Sequence, residues 1–455
     1  MNPFSHPAFH GTFGAARRDI TPPADIYSRN WGAARVDTAE SIHRPLTLTA
    51  LYIVADGSKP LALLSLDLGV WRSAEERALF SQAVRDAGIE EGRYLLALTH
   101  THAGPVFCPD SCDKPGGERI RPYLQTVCEA IRQALSEAAR NARPGVLEVT
   151  TGSCPLASNR DLPDPETGRL LVGWNPALPA DETLLLGRVS DDSGNCLATL
   201  VNYACHPTIL AWENSTLSPD FPGAMRVVVE AGTGAPCLFL QGASGELAPR
   251  HQYVGDPAVA DRAGRCLGHA ALALFYQMQP PGQELSYEGC VESGAPLAIW
   301  SLRPRKYLPR SLEAREIVIE LPLKKDLLPA NGLRQKLKEG PERVLEERLR
   351  RALAQREMIG SAECQACTHL LWRLGDILLI SVPNEAYSVL QIELRRAAGD
   401  RPLLVATVAN GSFGYLSPPS SYAADSYASH QSPYVEGCLE QTITALKAAI
   451  RSSID

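Results

Sequence analysis

Leu95-Leu96-Ala97-Leu98-Thr99-His100-Thr101-His102-Ala103-Gly104-Pro105 is an apolar run that stops at two histidines and a Gly-Pro break. Four consecutive apolar residues predict a buried strand. In extended backbone, residues two apart share a face, so the imidazoles of His100 and His102 are expected to emerge together at the strand's carboxyl end. That edge is where open α/β sheets place their ligands. An H-x-H there, in a chain with ten histidines, points to a metal or catalytic site. The plain alternative is two polar residues closing a strand, and what separates the readings is whether other strands end in the same way.

Three further strand ends do carry chemistry. The run Leu197 to Cys205 stops at His206-Pro207-Thr208, Asp376 to Val382 stops at Pro383-Asn384-Glu385, and Leu403 to Val408 runs into Ala409-Asn410-Gly411-Ser412-Phe413-Gly414-Tyr415. His100, His206, Glu385 and Tyr415 thus come from four strands, each at the carboxyl end. They form an N,N,O,O set suited to a divalent ion such as zinc, which takes histidine nitrogen and carboxylate oxygen at about 2.0–2.2 Å. A phenol has a free pKa of about 10, so Tyr415 needs a cation's field to ionise. A further strand, Cys237 to Gln241, ends in Gly242-Ala243-Ser244-Gly245-Glu246, where two glycines let backbone approach a ligand.

Between these strands lie helices with clear signals. Ser73-Ala74-Glu75-Glu76 is a capping box opening an amphipathic helix that Gly88 ends. A long helix is expected from Glu118 to about Ala142, others from Pro257 to Tyr276 and from Tyr387 to Ala398, and a last one from about Glu436 to Ile450. Leu46–Ala55 and Leu61–Leu66, joined by Asp56-Gly57-Ser58, read as a hairpin. The expected fold is α/β, a mixed β-sheet core flanked by helices with a metal site at the carboxyl ends of the strands. The chain reads as one domain, 1–455, with an insertion or cap at about 283–362. Within that insertion Pro341 to Glu357 is a charged amphipathic helix, read as a pocket lid, a homo-oligomer contact or simply a solvated peripheral helix.

At 455 residues, 45% hydrophobic and 21% charged, the chain can bury a large core. A net charge of −7 without a basic cluster argues against a nucleic-acid partner. The amino terminus carries neither a basic nor an apolar leader region, and no run of eighteen apolar residues occurs, so a cytoplasmic protein without a membrane anchor is expected. The twelve cysteines are scattered, many within apolar runs, and read as core residues. Cys364-Gln365-Ala366-Cys367 is a lone C-x-x-C, and Cys108 and Cys112 follow the histidine loop closely enough to touch a substrate or a second ion.

The series Thr99 to Pro105, Asn202-Tyr203-Ala204-Cys205-His206-Pro207-Thr208, Gln241 to Glu246, Pro383-Asn384-Glu385 and Asn410 to Tyr415, together with Asp19-Ile20-Thr21-Pro22, resembles the catalytic domain of neutral/alkaline (non-lysosomal) ceramidases. The resemblance covers most of the chain except about 283–362. It implies a zinc-dependent amidase with an α/β catalytic domain, in which His100, His206, Glu385 and Tyr415 are the zinc ligands. His102, Arg160 and Tyr434 would hold the scissile group and its oxyanion, Tyr434 through the Tyr434-Val435-Glu436-Gly437 match. Two departures stand out. The ceramidase motif G-D-V-S-P-N reads Gly245-Glu246-Leu247-Ala248-Pro249-Arg250 here, with Ala248 in place of a serine assigned to catalysis, and the resemblance stops before that family's carboxyl-terminal immunoglobulin-like domain. The expectation is therefore hydrolysis of the C–N bond of a small or polar amide by metal-activated water. Two alternatives stand beside it: an esterase, lactonase or lyase on a sugar-like compound, and a relative that binds ligand without turning it over.

Overall fold

The computed structural model describes residues 3–454. Leu61–Leu66, Tyr94–Leu98, Cys237–Gln241, Ile377–Val382 and Leu403–Thr407 are buried at every position, as expected of strands covered on both faces. They belong to two sheets. The larger runs in the order Cys237–Gln241, Cys196–Tyr203, Thr183–Asp191, Arg143–Ser153, Ala8–Asp19, Thr47–Val54, Leu61–Leu66, Tyr94–Leu98. The smaller runs Leu312–Pro322, Cys364–Leu374, Ile377–Val382, Leu403–Thr407. Each sheet is mixed. Parallel pairs sit at both ends of the larger sheet and at one end of the smaller, and the interior ladders are antiparallel.

The sheets stack face to face. Leu51, Leu63, Leu95 and Leu240 of the larger meet Leu370, Trp372, Leu379 and Leu404 of the smaller in one apolar layer. Alternate residues on the same strands point outward. Leu48, Leu64 and Leu96 pack under helices Ala74–Asp86 and Ile120–Arg140, while Phe239 and Val201 pack under Phe221–Thr233 and Pro257–Gln277. Helices Val389–Ala398 and Cys438–Ile454 cover the outer face of the smaller sheet. The expected α/β class with mixed sheet and flanking helices is what the chain forms, as four layers, helix–sheet–sheet–helix. Ser73 caps the first of these helices through its hydroxyl and Glu76 reaches back to the cap, as read from sequence.

The segment 283–362 divides into three parts. Gln283–Glu292 and Pro296–Pro304 form an exposed antiparallel ribbon. Leu312–Pro322 is the edge strand of the smaller sheet, in register along its length with Cys364–Leu374. Helices Ala330–Lys338 and Arg343–Ile359 complete the segment. Among the described residues no helix is long and apolar enough to cross a membrane.

Candidate metal centre

The strand Tyr94–Leu98 ends two residues before His100, which has a left-handed backbone (φ 70°). His100 and His102 therefore do not alternate along a strand as their spacing suggested. They converge because the chain breaks out of the sheet, with the amide of His100 held by the Leu68 carbonyl at 3.0 Å. A left-handed backbone, uncommon for residues other than glycine, is thereby fixed by its surroundings, a pattern concentrated at functional sites. The two rings stand 4.9 Å apart, and His206, just past the end of Cys196–Tyr203, brings its ring to 4.8 Å from His100 and 5.9 Å from His102. One nitrogen from each of the three lies within 4.8 Å of the others.

Ring orientation is set from behind. Nδ1 of His100 faces the Gly69 carbonyl at 3.1 Å and Nδ1 of His206 faces the Ser244 carbonyl at 2.6 Å, so each carries its proton there and turns Nε2 inward. Glu385, following Ile377–Val382, places Oε2 at 3.2 Å from His206 Nε2 and 3.4 Å from His100 Nε2. Tyr415, following Leu403–Thr407, pairs with Glu385 in a short parallel bridge and sets its hydroxyl 3.5 Å from His206 Nε2. An ion binding N and O at about 2.0–2.2 Å in a tetrahedron spaces its donors about 3.3–3.6 Å apart. The three separations just given, 3.2, 3.4 and 3.5 Å, lie close to that spacing. Nε2 of His100 and of His102 are buried without a hydrogen-bond partner, a state that a bound cation or water relieves.

The electrostatics point the same way. Burial, reinforced by Arg160, drives His206 down to about 3. Burial with His100 and His206 alongside holds His102 well below the usual imidazole range. Both are neutral at pH 7, with lone pairs available. Burial opposes ionisation of Glu385, yet His100 and His206 hold its carboxyl well below the usual range. Burial and the neighbouring carboxylate of Glu385 push the Tyr415 phenol well above 10, so only an added positive charge would ionise it. Arg160 supplies one fixed cation. Its guanidinium donates to the Gly245 carbonyl at 2.8 Å and to the Tyr415 hydroxyl at 3.1 Å.

Two cavities meet at this cluster and share His102, Arg351, Tyr415, Tyr427 and Gln431. The smaller, about 110 Å³, also touches Glu385; the larger, about 410 Å³, also touches Arg160. The helix Arg343–Ile359 contributes to both walls, so that part of the segment 283–362 does border the site.

Six of the seven side chains singled out from sequence thus come together: His100, His102, Arg160, His206, Glu385 and Tyr415. Tyr434 does not join them. It is fully buried, with its hydroxyl 3.1 Å from Asn384 Nδ2 and 3.4 Å from Cys367 Sγ, and lines neither cavity. Tyr427, seven residues earlier, lines both, its ring 6.0 Å from that of Tyr415. Sequence reasoning missed it because both tyrosines sit in one Ser/Ala/Tyr-rich stretch; the usable signal was the N-cap Ser426, which starts the short helix Tyr427–Gln431. The cysteine readings fall away. All twelve are free, Cys364 and Cys367 lie on opposite faces of one strand, Cys108 is in the core under Phe80, and neither Cys108 nor Cys112 lines the two cavities. Ala248 is buried in the strand Leu247–Pro249 and also stands outside both.

No model of a known protein family matches the sequence. A neutral ceramidase from Oryza sativa subsp. japonica is 24% identical over 231 residues, which cover 48% of this chain and 28% of that protein. The match thus spans little more than a quarter of that relative's length. Among solved structures, a ceramidase complexed with C2 superposes with a TM-score of 0.71 at 16% identity, over 99% of this chain and 76% of its own. Neutral ceramidase from Pseudomonas aeruginosa does so with a TM-score of 0.68 at 18% identity, over 99% and 75%. The chain is similar to these neutral ceramidases in fold.

Proposed function

From this shared fold we propose that the chain is a zinc-dependent hydrolase of the cytoplasm that cleaves the C–N bond of a small or polar N-acyl compound. The observation that carries the reading is the convergence of four side-chain donors, with Glu385 Oε2 3.2 Å from His206 Nε2 and 3.4 Å from His100 Nε2 and the Tyr415 hydroxyl 3.5 Å from His206 Nε2, both imidazoles being oriented from behind. Those four residues would hold the ion, which when bound supplies Lewis acidity and water of lowered pKa.

The chain's own residues do the rest. His102 is neutral, with Nε2 buried and unpartnered at the junction of the two cavities. It accepts a proton there as the attack on the carbonyl proceeds. Its depressed pKa makes the imidazolium a strong acid, which hands that proton to the leaving amine. The Arg160 guanidinium is clamped on the Gly245 carbonyl and stays charged through its neighbours Tyr415 and Tyr253 despite burial. It and the hydroxyl of Tyr427 face the developing oxyanion, where one donor is typically worth ~10²–10³ in rate. Ala248 leaves no hydroxyl to act as nucleophile, and a water-based attack requires none.

Metal analysis of purified protein tests this directly. We expect stoichiometric zinc, its loss in His100→Ala and His206→Ala together with activity on N-acyl substrates, and its retention in an inactive His102→Ala. Full activity in metal-free protein, or metal loss in His102→Ala matching that in His100→Ala, would overturn the assignment.

A further inference from the structure

The whole chain carries a net charge of −7, yet the walls of the two cavities carry the opposite sign. Arg72, Arg160, Arg348 and Arg351 line them against two carboxylates, Glu347 and Glu385. Glu385 is committed to the histidines, and Glu347 is shared by Arg351 at 2.7 Å and Arg72 at 3.5 Å. Arg348, on the rim of the larger cavity, forms no ion pair among the described residues. A positive chamber in an acidic protein selects and steers anions.

The larger chamber also has a flat aromatic wall. Trp212 and Tyr253 stack with centroids 5.9 Å apart and planes 24° from parallel, and Trp31 meets both edge-on at 6.0 and 5.7 Å. Tyr253 holds this pose from a left-handed backbone (φ 63°). Trp212 is 37% exposed and open to a ligand. The indole N–H of Trp31 is buried without a partner. Trp31 also leans on His102 at 5.4 Å, which ties the aromatic wall to the proton-carrying imidazole.

Resting on the reading of this centre as an amidase, we propose that the larger chamber recognises the amine half of an anionic amide. A flat or aromatic group lies on the Trp212–Tyr253 wall, and a carboxylate pairs with Arg351 and Arg348 and accepts from the Trp31 N–H. The smaller chamber, with Val70, Trp71 and Met358 on its wall, takes a short acyl group. The substrate class is thus an N-acyl amino acid with an aromatic side chain, and a long-chain neutral lipid does not match it. Hydrolysis adds one water across the C–N bond, giving the short carboxylic acid and the free amino acid.

The probes are N-acetylphenylalanine, its neutral analogues N-acetylphenylalaninamide and N-acetylphenethylamine, and a short-chain ceramide, each assayed with zinc-loaded full-length protein. We expect kcat/KM for the carboxylate at least tenfold above the others, carried by KM and shrinking as ionic strength rises. In Arg348→Glu, an exposed position with no partner to lose, KM for the anion is expected to rise about tenfold, the equivalent of ~1.4 kcal/mol. Hydrolysis of the panel without a carboxylate preference overturns this inference and leaves the amidase reading in place. If nothing in the panel is cleaved, calorimetry separates the two ideas. Selective binding of N-acetylphenylalanine over its amide upholds the anion chamber while the amidase reading falls, and equal or absent binding of both overturns the chamber.

Discussion

At the scale of single residues, the hydroxyl of Tyr434 accepts from Asn384 Nδ2, which also reaches the Gly414 carbonyl at 3.3 Å. Asn384 precedes Glu385 and Gly414 precedes Tyr415, so this buried triangle fixes the backbone beneath both of those residues, and the Tyr434 hydroxyl at its centre lines neither cavity. Removing one partner of a buried polar pair costs about 1–3 kcal/mol. Tyr434→Phe is therefore expected to lower the urea midpoint by that equivalent while kcat changes little in the fraction that stays folded. Tyr427, 39% exposed on the cavity wall, should behave in the opposite way. Its change to Phe is expected to lower kcat by ~10²–10³, the weight of one oxyanion donor, at an unchanged unfolding midpoint. Paired denaturation and steady-state measurements on the two variants decide the assignment, and the reverse pattern would return the catalytic role to Tyr434.

At the scale of elements, the strand Cys364–Leu374 buries His369 completely, with Nδ1 on the Ser381 carbonyl at 3.2 Å and Nε2 without a partner. Burial lowers its pKa from 6.5 to about 4. Folding thus favours the neutral ring, and the unfolded chain binds the proton more readily between those values. Stability from this site is complete above pH 6.5 and is lost as pH falls toward 4, to a total of about 3 kcal/mol at 1.36 kcal/mol per pKa unit. His369→Phe should flatten the difference between urea midpoints measured at pH 7 and pH 5, and an equally steep decline in the variant would assign the acid sensitivity elsewhere. Signals that sequence displays within one element were legible: the Ser73–Glu76 capping box, the strands apolar on both faces, and the His-Pro and Pro-Asn-Glu breaks that end strands at the site. Signals that arise between elements were not. Periodicity tells which residues of a strand are buried but not which sheet they face, so one mixed core was expected where two sheets stack. The H-x-H spacing suggested alternation along a strand, whereas a left-handed turn at His100 does the work. The larger chamber is assembled from Trp31, Trp212 and Tyr253 in separate loops, where no repeat or period exists to read.

At the scale of the whole molecule, the four proposed donors are divided between the sheets: His100 and His206 follow strands of the larger, Glu385 and Tyr415 follow strands of the smaller. The apolar layer joins the sheets along their faces, but at this end the contact is polar, with Asn202 Nδ2 reaching the Val405 carbonyl at 2.8 Å and the Thr407 hydroxyl the Gly242 carbonyl at 2.8 Å. A cation shared by all four side chains, as proposed above, would require both sheets in place, so it would bind the native state and not the unfolded chain. Mass action then converts occupancy into stability. At a free zinc level a thousand times the dissociation constant the gain is about 4 kcal/mol. With an unfolding entropy of about 2.1 cal/mol/K per residue over 455 residues, that gain corresponds to a rise of about 4 °C in Tm. Chelation is therefore expected to lower Tm by this amount and zinc to restore it. Magnesium should not, since it prefers octahedral oxygen ligands to imidazole nitrogen. The same treatment of His100→Ala should leave Tm unmoved. A chelator-independent Tm in the native chain would mean that the two sheets meet here without an ion between them.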